Sequence, residues 1–373
     1  MFLQVEEINQ KWILEKENLL ADTQLLISQL NQDSGNKMQV CIDKISSLNP
    51  SHKNSIIKDP IFLNWVSALN DEILSAYENS IANWSDEKLN QGLNLISIAI
   101  SNLTEKDFSF LSLPQAEGIK IITKKIDPFF NEGSEYDVEF DFDIDETKWL
   151  TTLQAALELI KSDSTTHKLV KNFVSYLIPL KQKKIIQNLS FSSRNLPNVI
   201  FKNNEDSPYI FGETLAHEAD HQFFYALENF YSLWNTDVKT QEAIYRSPWR
   251  DDARPLDGII RGVSAFVRVC KYYSSVMKNV DEKEIDKVGS LHLLKLSQCE
   301  DAIATLLNAN QLSDFGKEYV LEMKDILQQS DSSVRHFSNY KNWRMDATIV
   351  INTHRENWEK SYLNQPKEKT ILN

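Results

Sequence analysis

The sequence predicts a mainly α protein of α+β type: a helical N-terminal region, then a helical core that carries a small β-sheet. Three observations point there. Apolar residues recur at three- and four-residue spacing along most of the chain, strand-like alternation is confined to two short stretches, and five helix-length periodic segments follow Pro208.

At the N-terminus Val5, Ile8, Trp12, Leu19, Leu26 and Leu30 fall at helical spacing, and similar patterns run through 62–77 and 89–103. Residues 1–115 therefore read as a helical region, serving as a scaffold or as a docking surface for a peptide. Between Gly118 and Asp145 the pattern changes to alternation, over 119–126 and again over 136–142 after a Pro/Asn/Gly turn, which reads as strands. Helices are expected over 148–162 and 166–177. The stretch 184–203, broken by Ser-Ser-Arg-Asn and Pro197, reads as a short strand pair. Helices are expected again over 212–234, 258–277, 282–308, 313–329 and 339–362, followed by a polar tail. No repeat or low-complexity linker divides the chain. The boundary is placed near residue 115, leaving 116–373 as a second domain.

An apolar fraction of 42% with 25% charged residues is that of a globular chain able to bury a core. The net charge of −13, from 40 basic and 53 acidic side chains, is spread without a basic cluster. Such a field disfavours nucleic acid and suits a basic or neutral peptide. The first twenty residues lack the basic, continuously apolar pattern of a secretory signal, and no stretch reaches the length of a membrane span. Cys41, Cys270 and Cys299 are far apart and odd in number, as free thiols in a reducing compartment would be. The expected location is the cytoplasm.

Chemistry concentrates in His217-Glu218-Ala219-Asp220-His221. Residues four apart share a helix face, so two imidazoles at this spacing can converge on one cation. Glu218 supplies the carboxylate that serves as general base on metal-bound water in zinc hydrolases. Leu215, Ala219, Phe223, Ala226 and Phe230 form an apolar stripe that would seat the helix on a core. A β-like segment followed by such a helix is the arrangement of zincin-like sites. Two histidines need a third ligand, either for a zinc peptidase or for a two-histidine, one-carboxylate iron site. In a peptidase, the segment around Val199–Phe201 would line the cleft as an edge strand.

A second dense stretch, residues 245–258, reads YRSPWRDDARPLDG. Arg250 and Arg254, with Asp251 and Asp252 between them, suit either a bidentate carboxylate clamp or an Arg–Asp network that pins a loop. Taken with the helix that follows, of form G-x-x-x-G-x-x-A-F from Gly258 to Phe266, and the late His354-Arg355-Glu-Asn-Trp358, the chain resembles the HExxH-type peptide β-hydroxylases of ribosomal peptide biosynthesis. The resemblance covers about residues 211 to 360.

It implies an iron(II)- and 2-oxoglutarate-dependent oxygenase that uses molecular oxygen to hydroxylate a side-chain β-carbon in a precursor peptide, alongside other peptide-maturation enzymes. The zinc metallopeptidase is the alternative. Carried over by motif, His217 and His221 become iron ligands and Asp252 the candidate third, with His354 and Glu218 as alternatives. Arg254, Arg355 or Arg250 would hold the distal carboxylate of the oxo acid. Trp249, His354 and Arg261 would stand around the substrate or behind the ligands. Two positions depart from the pattern: Ala253 replaces a frequent Pro, and Arg261 replaces a frequent His or Gln, bringing positive charge near the metal if it faces inward.

Overall fold

Buried strands read as continuous apolar runs and amphipathic helices as stripes, and both signatures are resolved into elements in a computed structural model that describes residues 5–27, 110–112, 118–123, 138–182, 189–235 and 244–363. The sequence-expected helices over 62–77 and 89–103, the tail 364–373 and the boundary near residue 115 lie outside the described residues. Contacts divide the chain into two units. One comprises Leu3–Gln154 and Val170–Asp206; the other comprises Met1–Phe2, Ala155–Leu169 and Ser207–Asn373.

The first unit is built on a five-stranded sheet. Its strands are β1 (Phe110–Ser112), β2 (Lys120–Ile122), β3 (Tyr176–Leu180), β4 (Ser190–Ser193) and β5 (Leu196–Asn203), in the order β1-β2-β3-β5-β4. β3 runs parallel to both β2 and β5, while β1 and β4 pair antiparallel at the edges. Ile122, Tyr176, Ile178, Leu196, Val199 and Phe201 form the core, with Phe140 and Phe191 packed against it. Helix α1 (Val5–Ile27) adds Val5, Ile8 and Trp12, whose indole lies 6.5 Å from the Phe173 ring.

Three expectations are corrected here. The helix expected over 166–177 ends at Phe173, as α3 (Ser164–Phe173), and Tyr176–Leu180 is the strand β3. All five residues of that strand are buried, so its run of apolar residues reflects burial on both faces and carries no helical stripe. Pro179 is tolerated there because pairing with β2 stops at Leu177, so no ladder bond from that neighbour is lost. The alternation expected over 136–142 yields, at its described residues, a single bridge from Phe140 to Leu180. Finally, Val199–Phe201 is no edge strand, since β5 is paired on one side with β3 and on the other with β4.

The second unit is helical. It takes the end of α2 (Glu146–Ile160) and the start of α3, where Asp163 caps the helix by accepting the Thr166 N–H at 3.0 Å. It continues with α4 (Pro208–Phe230), α5 (Leu256–Val276), α6 (Glu282–Ala309), α7 (Asp314–Val334) and α8 (Tyr340–Leu363). α5 is the central helix, packed against α4, α6 and α7, and α8 lies on α6. Its burial explains its composition: fifteen of its residues are buried, Ile259, Ile260, Val263, Val267 and Val269 among them. Each such side chain contributes roughly 1.5–3 kcal/mol relative to exposure. α7 starts where Ser313 accepts the Gly316 N–H at 3.0 Å, and α6 ends at Asn310, whose left-handed φ of 51° turns the chain. Among the described residues no helix is long and apolar enough to cross a membrane.

Lys202 of β5 is fully enclosed, with its ammonium 5.1 Å from the Trp149 ring and 2.7 Å from the Asn203 carbonyl. Burial pushes its pKa down from 10.5 to about 7, against the opposing pull of Glu205. The folded chain therefore binds fewer protons than the unfolded one between those values, and stability rises with pH across that window, by at most about 1.4 kcal/mol per unit. Replacing Lys202 with Met is expected to flatten the rise in thermal midpoint between pH 7 and pH 9. An unchanged slope in the variant would contradict this.

Candidate metal centre

The sequence of α4 gives the helix two faces. Leu215, Ala219, Phe223 and Ala226 are buried against the core, as the apolar stripe requires, and Phe230 at the end is half-buried. Near its start Gly212 lets α5 approach closely, since a methyl group there would collide with the Tyr272 hydroxyl, which donates to the Tyr209 carbonyl at 3.1 Å. On the other face His217 and His221 are half-buried and turned toward one another. Their Nε2 atoms are 3.1 Å apart and their rings stand at 89°.

Metal–imidazole bonds are about 2.0–2.1 Å, so two nitrogens less than about 4 Å apart can share one cation, and this pair meets that condition. Burial drives the His217 pKa well below its usual value, helped by His221 and by the charge of Lys295. The same cause, helped by Arg261, lowers His221 to about 4. Both rings are therefore neutral at pH 7, the form that ligates. One Nε2 donates to the other when it carries the proton, and with both protons on Nδ1 the two Nε2 lone pairs would be available to one ion.

Aromatic rings wall this pair. Phe266 of α5 lies 4.6 Å from the His217 ring, and Trp249 stacks on Phe266 at 4.9 Å. Gly262, one turn before Phe266, makes room for that indole, because a methyl there would stand 2.7 Å from the ring. Lys295 of α6 holds its ammonium 4.4 Å from the centre of Phe266. Arg261 sits 5.9 Å from Tyr225, beside His221, and is paired with Glu228 at 3.3 Å and Asp257 at 3.5 Å.

The loop carrying Trp249 is fixed from below by α6 and α8. It begins and ends in a two-stranded ribbon, β6 (Tyr245–Arg246) and β7 (Ala253–Arg254). Gln298 donates to the Pro248 carbonyl at 2.9 Å. His354 donates from Nε2 to the Arg250 carbonyl at 3.2 Å, which leaves Nδ1 to accept from Arg246 at 3.1 Å. Asp301 accepts from both Arg246 and Arg355, the latter at 2.6 Å. Three stretches, 245–254, 298–301 and 354–355, thus meet at one place, with partners as far as 108 residues apart.

The sequence-derived candidates divide accordingly. His217 and His221 converge, with Glu218 buried beside them on the same helix and Trp249 and Arg261 close by. His354 has both ring nitrogens engaged in holding the loop. Asp252 lies between Arg250 and Arg254, 3.0 Å from each. Against a desolvation effect, the hydrogen bond from Arg250 and the two guanidinium charges hold its carboxyl below the usual range. Among the described residues, no group of three His, Cys, Asp or Glu side chains is placed to hold one ion. Arg355 is tied to Asp301.

Two features escaped sequence reasoning. Lys295 reads as one polar residue on an amphipathic helix, and only the packing of α6 brings it to the site. Asp220, inside the H-E-x-x-H segment, is fully buried and accepts from Arg268 Nε at 3.0 Å and from the Ser264 hydroxyl, which also meets the Tyr319 hydroxyl at 2.6 Å. Burial raises the Asp220 carboxyl pKa, and Arg268 and Ser264 oppose that rise. An Arg amid Phe266-Val-Arg-Val-Cys270 was the available signal, since an unpaired charge is excluded from so apolar a face. The chain matches no protein-family model and no curated protein sequence.

Replacing Arg268 with Met strands the Asp220 carboxylate and is expected to cost about 3–5 kcal/mol in denaturant unfolding, whereas the double change Asp220→Leu, Arg268→Met should recover most of that loss. Equal destabilisation by the single and double changes would contradict the pairing.

Proposed function

We propose that this protein is an iron(II)- and 2-oxoglutarate-dependent oxygenase that hydroxylates a side-chain β-carbon in a ribosomally made precursor peptide, acting in the cytoplasm. The observation that carries this reading is the pair of neutral imidazoles, 3.1 Å apart, beside cationic side chains and against the aromatic wall of Phe266 and Trp249. The convergence of the four motif stretches that carry the family resemblance supports it further. So do the buried free thiols of Cys270 and Cys299, which suit a reducing compartment.

Each group has a task in this reading. His217 and His221 hold the ion through Nε2. Iron with the bound oxo acid supplies the oxidising power for C–H hydroxylation. Lys295 and Arg261 offset the negative charge of the oxo acid, a need that hydrolysis by a zinc peptidase does not have. Trp249 and Phe266 would keep water from the side of the histidine pair that they wall. Glu218, the general base of the hydrolytic alternative, here stands behind the histidines. Asp252, paired here with Arg250 and Arg254, would be the third ligand.

Protein loaded anaerobically with iron(II), then given oxygen, 2-oxoglutarate and the cognate peptide, is expected to release succinate and add one oxygen atom to the peptide. His217→Ala and His221→Ala should each reduce both by at least about a hundredfold. Peptide cleavage abolished by chelation and restored by zinc, without succinate, would overturn the oxygenase reading in favour of the peptidase.

A further inference from the structure

The cations of the 245–254 loop and of α5, α6 and α8 differ in how far they are already neutralised. Arg250 and Arg254 share Asp252, while Arg246 and Arg355 share Asp301. Arg261 is held between Glu228 and Asp257. Lys295 is different. Among the described residues its one ion pair, to Glu213 Oε1, is long at 3.8 Å, and the other oxygen of that carboxylate accepts the Tyr273 hydroxyl at 2.5 Å. Its side chain is only 22% exposed, so water meets little of its need for acceptors.

Its position is as telling as its surplus charge. The ammonium lies 4.4 Å from the centre of Phe266, and the His217 ring lies 4.6 Å from the same centre. The cation and the His217 imidazole therefore share one phenyl ring as neighbour. The indole stacked on that phenyl has its Nε1 buried without a hydrogen-bond partner, a second donor in want of an acceptor. A compact anion held at the histidines at one end and bearing acceptor oxygens at the other would answer both.

We infer that Lys295 binds the distal carboxylate of the oxo acid, the task that the sequence motif had suggested for Arg254 or Arg355. The assignment rests on the oxygenase reading. A dicarboxylate is then preferred over a monocarboxylate, which offers Lys295 no second carboxylate. Lysine is suited to this place because its ammonium can swing from Glu213 to a ligand without the bidentate geometry an arginine demands.

The test is equilibrium binding by calorimetry to the full chain loaded with manganese(II), using 2-oxoglutarate and pyruvate, which share the keto-acid end and differ in the distal carboxylate. Wild type is expected to bind 2-oxoglutarate at least about tenfold more tightly than pyruvate. Lys295→Met should abolish that preference, the two acids then binding about equally, and Lys295→Arg should keep part of it. A preference undiminished in Lys295→Met overturns the assignment and leaves the oxygenase reading standing, whereas no binding of either acid by wild type overturns both. Should Lys295→Met fail to fold, amine labelling of wild type read by peptide mass spectrometry decides: 2-oxoglutarate must slow labelling of Lys295 and pyruvate must not, and equal labelling overturns the assignment.

Discussion

The buried ion pair between Asp220 and Arg268 is the constraint on which the helical unit depends. Neither group can be surrendered to water, because both are enclosed among the apolar residues of α4, α5 and α7. Desolvating two charges costs several kcal/mol each, and the pair is tolerated only because Ser264 and Tyr319 complete its hydrogen bonding. Such an interaction is a poor source of net stability. It is a strong determinant of register, since any rotation of α4 against α5 would leave a charge unpaired.

That register sets the site. With Asp220 turned toward Arg268, the helical repeat turns His217 and His221 to another face of α4, where they meet the aromatic edge of α5. On α5 the same logic holds: Ser264 and Arg268 face the ion pair, whereas Gly262 and Phe266 face Trp249. The loop that brings Trp249 is held in turn by Gln298 and Asp301 of α6 and by His354 of α8. Stability and site geometry are thereby joined in one chain of contacts, running from a core carboxylate to a loop indole.

Periodicity made the outer helices α6, α7 and α8 legible in the sequence, because each has one buried face and one exposed face, whereas the central α5 has no exposed residue and was marked by its length and spacing. Periodicity failed at Tyr176–Leu180, where burial on both sides removes the stripe that separates strand from helix. The histidine pair was legible from spacing alone, since helix geometry leaves little freedom at four residues. The partners of the arginines were not. Sequence gives the charge but not its partner, and Asp252 and Asp301 claim the very arginines that the motif offered for an oxo acid. The place of Lys295 was invisible for the complementary reason, as its contact with Phe266 follows from which face of α6 packs on α5.

The central claim is that His217 and His221 hold a single divalent cation between their Nε2 atoms. Anaerobic titration of the full chain with iron(II), followed by calorimetry, tests it most directly. The account predicts one ion per chain in wild type and loss of that binding in both His217→Ala and His221→Ala, with the fold retained by circular dichroism. Undiminished one-to-one binding in either variant would contradict it.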